Sequence, residues 1–252
     1  MKTAIITVAG ISSRFNKGVP ENRKELKAIY TESGSRNTLL YHLLLKCSYA
    51  DRIILVGGYK YEALKSFYQT EFASEFPQVE LVKNDHYEDL ASGYSLFLGI
   101  RKALEYKADE VLFVEGDLDI DNASFECVIQ SQKSVLTYTT EPIYANKAVV
   151  LYQDVDGRYK YAFNSAHGLL TIDEPVSCIL NSGQTWKFLN VGALKTANDE
   201  FESFEIEGTN LRIIQRYIEK VPADSIDLIK LDRWTNCNTK EDYRKILNNW
   251  RD

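Results

Sequence analysis

Along the first half of the chain, short runs of apolar residues alternate with longer amphipathic ones. Residues 4–8, 52–56 and 110–114 are almost wholly apolar, the pattern of strands covered on both faces. Residues 79–83 predict a further short strand. Between these runs, residues 38–48, 61–72 and 92–104 carry one broad apolar face each and predict helices, the last opened by Ser92. Strands alternating with helices in this way predict an α/β fold with a doubly wound, Rossmann-like, mixed but mostly parallel sheet. The texture changes near residue 134. Residues 135–140, 147–152, 158–163 and 169–172 predict shorter, more polar strands, with a turn at 154–157. Residues 188–194 read as a strand around Asn190, 207–220 as a helix, 226–231 as a strand, and 241–250 as a helix capped by Thr239. No repeat or linker interrupts the chain. The expectation is one domain over 1–252: a first part (1–133), a β-rich elaboration (134–235) and a closing segment (236–252).

Composition narrows the function. With 252 residues, 44% of them hydrophobic, the chain can bury a substantial core. A formal charge of −6 argues against nucleic acid as the main partner, which wants a basic face. Cys47, Cys127, Cys178 and Cys237 are widely spaced, as expected of reduced, mostly buried thiols in a cytoplasmic protein. No apolar run approaches the roughly 20 residues needed to cross a bilayer, and no signal peptide is read at the start, so no membrane partner is expected.

Candidate chemistry begins where the first strand runs into Ala9-Gly10-Ile11-Ser12-Ser13-Arg14-Phe15. A strand ending in a small-residue loop offers backbone N–H groups to phosphate, and Arg14 adds a planar charge suited to its oxygens. Gly10 is expected to let the chain turn without a Cβ clash. The loop is neither a P-loop nor a dinucleotide fingerprint: it lacks the Gly-Lys-Ser/Thr ending and the three spaced glycines. An ordinary strand-to-helix turn with a surface arginine is the plain alternative. Lys24 follows about ten residues later, placed to reach back over the loop. Glu115-Gly116-Asp117 ends a predicted central strand, the end that faces the ligand crevice in an open α/β sheet, where a carboxylate suits Mg²⁺. Asn238 offers a second oxygen near the C-terminus, although taken locally it reads as a helix cap beside Thr239. His42, His86 and His167 are too scattered to suggest a nucleophile's partner.

In this order the segments resemble the sugar-phosphate nucleotidyltransferase superfamily. Residues 9–15 match its Gly-x-x-x-Arg-Phe/Met loop, with a serine where a second glycine is common. Lys24-Glu25-Leu26 matches its lysine segment without the usual preceding proline. Asp117 matches its metal-binding aspartate, and Asn238-Thr239-Lys-Glu-Asp242 its closing segment. The resemblance is closest to the small cytidylyltransferases acting on phosphocholine and aminoalkylphosphonates. Three features carry it: the Ser-Arg-Phe loop ending, the stretch from Asn84 through Tyr87 and Ser92 to Leu96, and the short chain. Ala91 stands where those enzymes carry asparagine.

The resemblance implies a nucleotidyltransferase fold, Mg²⁺ as cofactor, and CTP and a small anionic acceptor as partners, in a monomer or homodimer. It assigns Ala9, Gly10, Ile11, Ser12, Ser13, Arg14, Lys24, Asn84, Ser92 and Asp117 to the nucleotide, Arg14 and Lys24 to catalysis, and Asp117 and Asn238 to the metal. The acceptor pocket is expected from the elaboration: Glu141, Tyr144, Trp186, Asn190 and Trp234, with Tyr161, Asp173 and Asp232 in reach. Aromatic faces there would bind a trimethylammonium head. A uridylyl or other sugar-phosphate nucleotidyltransferase is the main enzymatic rival. A catalytically silent nucleotide-binding protein of the same fold is the rival from another class.

Overall fold

β1 (Lys2–Thr7), β2 (Arg52–Gly57), β3 (Val79–Lys83) and β4 (Glu110–Glu115) are the strands expected from the apolar runs, and they pair in parallel in the order β4-β1-β2-β3. The structure, a computed structural model, describes residues 1–145, 148–163, 165–166 and 169–250, and the side chains of all of these but Ser165 and Ala166. Lys147, expected to start a strand, and His167 lie outside the described residues.

Burial on both faces explains the unbroken apolar runs. Ala4, Ile6, Ile53, Leu55, Leu112 and Val114 face one layer, built from α1 (Leu39–Cys47), α2 (Tyr61–Glu71) and α4 (Asn122–Gln130). Ile5, Ile54, Val56, Val111 and Phe113 face the other, built from α3 (Ser92–Glu105), α5 (Val191–Phe204) and α6 (Asn210–Lys220). β5 (Leu118–Ile120) pairs with β13 (Trp234–Asn236) as a separate ribbon.

β6 (Ser134–Thr139), β7 (Val150–Asp154), β8 (Tyr159–Tyr161), β11 (Val176–Phe188) and β12 (Ile226–Lys230) complete a nine-stranded mixed sheet. β9 (Ser165–Ala166) and β10 (Leu169–Leu170) form a small hairpin. β11 runs for 13 residues, antiparallel to β4, β6 and β7, and so ties the elaboration to the parallel half. The chain closes with α7 (Lys240–Asn249), packed through Tyr243, Ile246 and Leu247 on Phe15 and Leu39. Among the described residues no helix is long and apolar enough to cross a membrane. Cys47 and Cys237 are buried, whereas Cys127 and Cys178 are exposed.

One expected strand is not present. The apolar stretch 188–194 changes element part-way: β11 stops at Phe188 and α5 starts at Val191, because the Asn190 side chain accepts from the Ala193 N–H and caps the helix. β1 is flanked by β2, the next strand in the chain, and by β4, reached only after a crossover. At this reversal of strand order the carboxyl ends of β1 and β4 open a crevice.

Candidate active site

The crevice is a cleft of about 290 Å³, walled by the loop after β1, residues 26–28, the approach to α3, the end of β4 and the first residue of α6. Of the residues expected to hold the nucleotide, Ala9, Gly10, Ser12, Asn84, Ser92 and Asp117 line it. Ile11, Ser13 and Arg14 are exposed and stand outside the lining. Among the described residues the N–H groups of Gly10, Ile11, Ser12 and Ser13 have no acceptor, which is the state of a loop built to meet an anion. The strained residue of the loop is Ser12, at φ 54°, and not Gly10, whose φ is outside the left-handed region and where a Cβ would meet nothing within 4 Å. Gly10 is therefore not demanded by the fold.

Asn16, 2% exposed, staples the loop to the next segment. Its Nδ2 donates to the carbonyls of Ser12 (3.1 Å) and Glu25 (2.8 Å), and its Oδ1 accepts from the Glu25 N–H (2.9 Å). That clamp sets Lys27 into the cleft, where Nζ donates to Asp117 Oδ2 at 2.8 Å with both side chains mostly buried. Lys24, the lysine expected there, lies outside the lining. It is paired with Glu21 at 2.5 Å, a bond that raises its pKa. The physical reason is the short helical turn at Lys27–Ile29, which buries Leu26 and Ala28 and points Lys27 inward. Lys27-Ala28-Ile29 repeats the lysine-x-aliphatic pattern three residues on, and the burial of its neighbours separates the two.

Beside Asp117 stands Glu115, whose carboxyl is pushed up to about 8 by burial and by the Asp117 charge, against the pull of a hydrogen bond from Asn210. Gly116 between them is obligatory: a Cβ would lie 2.3 Å from Val8 and 2.6 Å from the Thr7 carbonyl, where the ends of β1 and β4 touch.

The donors present fit a hard cation. Asp117 Oδ1 and Asn236 Oδ1 are both buried without a partner, and their segments are joined by the Cys237 N–H to the Asp117 carbonyl at 2.7 Å. One carboxylate and one amide oxygen match Mg²⁺, which keeps water and phosphate ligands. Among the described residues no group of three or more His, Cys, Asp or Glu could hold a metal by itself. Asn238 is absent from the cleft lining; its backbone N–H donates to Asp242 at 3.0 Å, beside the capping box that Asp242 forms with Thr239.

The expected acceptor residues do not line this cleft. Trp186 is fully buried, stacked on Phe113 at 5.0 Å and donating to the Tyr161 hydroxyl at 2.6 Å. Trp234 donates to the Gly183 carbonyl, Asn190 caps α5, and Glu141 and Tyr144 are exposed after β6. Which face of β11 a tryptophan takes depends on strand register, which its local sequence does not reveal. Asn16 and Asn210 are the supporting residues that sequence reasoning passed over, whereas Lys27 and Asn236 stand in the segments it singled out, close to the positions it preferred, Lys24 and Asn238.

Residues 23–250 match the model of a family described as Domain of unknown function (DUF6564). The chain belongs to this family. No curated protein sequence matches it. The fold of this family member is that of the nucleotidyltransferases. It superposes on the inositol-1-phosphate CTP transferase from T. maritima with a TM-score of 0.68 at 16% identity, covering 98% of this chain and 95% of that one. For a CTP:phosphocholine cytidylyltransferase from Streptococcus pneumoniae the TM-score is 0.59 at 16% identity, with 99% of each chain covered. For a UDP-glucose pyrophosphorylase solved with UDP-glucose it is 0.68 at 11% identity, with 100% and 98% covered.

Proposed function

We propose that this protein is a nucleotidyltransferase that moves a cytidylyl group from CTP to a phosphate or phosphonate oxygen of a small amine or alcohol. The observation that carries the reading is the Lys27–Asp117 pair set in one cleft with the unpaired amides of the loop after β1. An acceptor oxygen attacks the α-phosphorus in line, the bond to the bridging β-phosphate oxygen breaks, and pyrophosphate leaves. Such a transfer needs alignment and neutralisation of crowded charge more than covalent help. The amides of 10–13 and Arg14 hold the outer phosphates. Lys27 turns from Asp117 to the α-phosphate as the two anions meet. Asp117 and Asn236 would hold a magnesium ion, which when bound would supply charge neutralisation at the phosphates.

CTP as donor is supported by two of the similar structures, whose names specify CTP, and by the resemblance of residues 83–96 to a base-proximal segment. A second reading, transfer to a sugar 1-phosphate, is favoured by the better superposition on the UDP-glucose enzyme than on the phosphocholine enzyme. It also gains from the absence of any tryptophan from the cleft lining. Pyrophosphate release distinguishes the two when CTP and UTP are each paired with phosphocholine, aminoethylphosphonate and a hexose 1-phosphate, with and without Mg²⁺. The expected result is Mg²⁺-dependent release fastest with CTP and an amine-bearing acceptor. Faster turnover of UTP with the hexose phosphate moves the assignment to the second reading, and nucleotide binding without any release makes the protein a silent binder.

A further inference from the structure

Between the short helical turns Glu21–Arg23 and Lys27–Ile29 the chain is extended, with Lys24 at φ −62° and ψ 145° and Leu26 at φ −81° and ψ 116°. Among the described residues no backbone group meets the Lys24 carbonyl, the Glu25 N–H or the Glu25 carbonyl. Side chains from two other loops take them instead. The peptide group that joins Lys24 to Glu25 is gripped at both edges. Its N–H donates to Asn16 Oδ1 at 2.9 Å, and its carbonyl accepts from Lys60 Nζ at 2.7 Å. Asn16 belongs to the loop after β1, and Lys60 to the turn between β2 and α2. A peptide plane fixed on opposite edges sets the direction in which the chain runs on to Lys27.

Lys60 holds an unfavourable backbone. Its φ is 52°, in the left-handed region that a lysine seldom adopts, and its side chain does not cap α2 although it stands at the cap position. The turn is pressed against the loop after β1. A Cβ at Gly58 would lie 2.6 Å from that of Tyr87 and 3.0 Å from that of Ala9, and the Tyr59 N–H donates to the Ala9 carbonyl at 3.0 Å. The half-buried Lys60 ammonium forms no ion pair among the described residues, and its hydrogen bond goes to the Lys24 carbonyl. A charged donor makes that bond stronger than a neutral one. Strain kept at one residue whose side chain reaches a distant segment points to a use for that reach. Resting on the nucleotidyltransferase reading for its effect on rate, we infer that Lys60 is a positioning residue. Held on the Lys24 carbonyl, it keeps Lys27 in the cleft against Asp117 and aimed where the α-phosphate arrives. The contact is to the Lys24 backbone, so Lys24→Ala leaves it intact.

The test sets three full-length variants beside wild type, each fold verified by thermal melt. Lys60→Met keeps the stem and loses the donors, Lys60→Arg keeps a charged donor of similar reach, and Lys60→Gly suits the left-handed backbone but loses the side chain. Turnover is read as pyrophosphate release with Mg²⁺, CTP and whichever of phosphocholine, aminoethylphosphonate and a hexose 1-phosphate reacts fastest. Lys60→Met and Lys60→Gly should lower kcat about tenfold or more with the KM for CTP within about threefold, and Lys60→Arg should recover most of kcat. Amide hydrogen exchange needs no substrate. In Lys60→Met it should quicken about tenfold at Glu25, Ile29 and Tyr30 and stay as in wild type along β1. A folded Lys60→Met with wild-type kcat, or with unchanged exchange at those three amides, overturns the inference. So does a loss confined to the KM for CTP, since Lys60 would then hold the substrate itself, and so does exchange quickened equally along β1, the mark of a purely global loss. If wild type releases no pyrophosphate with any acceptor, the nucleotidyltransferase reading falls, and the exchange result alone upholds or overturns the tether.

Discussion

Lys24 and Lys27 are three residues apart, and environment alone separates them. Lys24 is held outside the cleft by Glu21, whereas Lys27 is mostly buried against Asp117. Lys27→Ala should lower pyrophosphate release about a hundredfold or more, the loss of one preorganised charge. Lys24→Ala should change it only a few-fold, and steady-state rates of the two variants side by side check this. A converse case is Gly10. A methyl group added there meets nothing within 4 Å and no left-handed φ forbids it, so Gly10→Ala should leave the melting temperature unchanged or raise stability by about 0.4–1 kcal/mol. The same methyl stands in the cleft, so CTP affinity should fall. Calorimetry and a thermal melt on one preparation test both halves.

At the scale of elements, the caps show what local sequence reveals and where it stops. Thr239 was legible as the cap of α7, and it forms a full capping box with Asp242. Thr239→Ala should cost about 1 kcal/mol in a denaturant melt, with a further loss of activity if α7 holds the Asn236 segment in register. Asn190 was not legible as a cap, because apolar residues on both sides run strand and helix into one stretch. Asp121, four residues past Asp117, is a carboxylate close to the candidate metal residue in sequence, yet its side chain accepts from the Ser124 N–H and starts α4. A polar side chain that can cap, bind metal or meet solvent is assigned only by what surrounds it.

Across the whole molecule, the C-terminal helix closes over the face beside the cleft. Trp250 stacks on His42 at 3.8 Å and donates to Asp119, itself 2% exposed and also met by Arg233. Burial, with Lys46 nearby, lowers the His42 pKa to about 4, against the opposing pulls of Asp119 and the Arg36 backbone. The unfolded chain takes up this proton near 6.5. Between these values the unfolded state therefore binds more protons, so stability is lost as pH falls from about 6.5 towards 4 and is flat in this respect above. Denaturant melts across that range should show the loss, and His42→Phe, which keeps an aromatic ring for Trp250, should reduce it.

The apolar runs of β1, β2 and β4 and the amphipathic stretches of α1 to α3 determined the parallel half of the sheet, because burial on both faces leaves its mark on every residue of a strand. That architecture places the carboxyl ends of β1 and β4 at one crevice, so the loop at Gly10 and the carboxylate at Asp117 were legible as a pair. Tertiary structure alone decided which lysine meets Asp117, which asparagine oxygen is left unpaired beside it, and that Trp186 belongs to the core. It alone joined Asn210 to Glu115 across 95 residues. These choices depend on the register of β11, on the clamp at Asn16 and on the packing of α6 against α3, and contacts so distant in sequence leave no periodic signal in the chain.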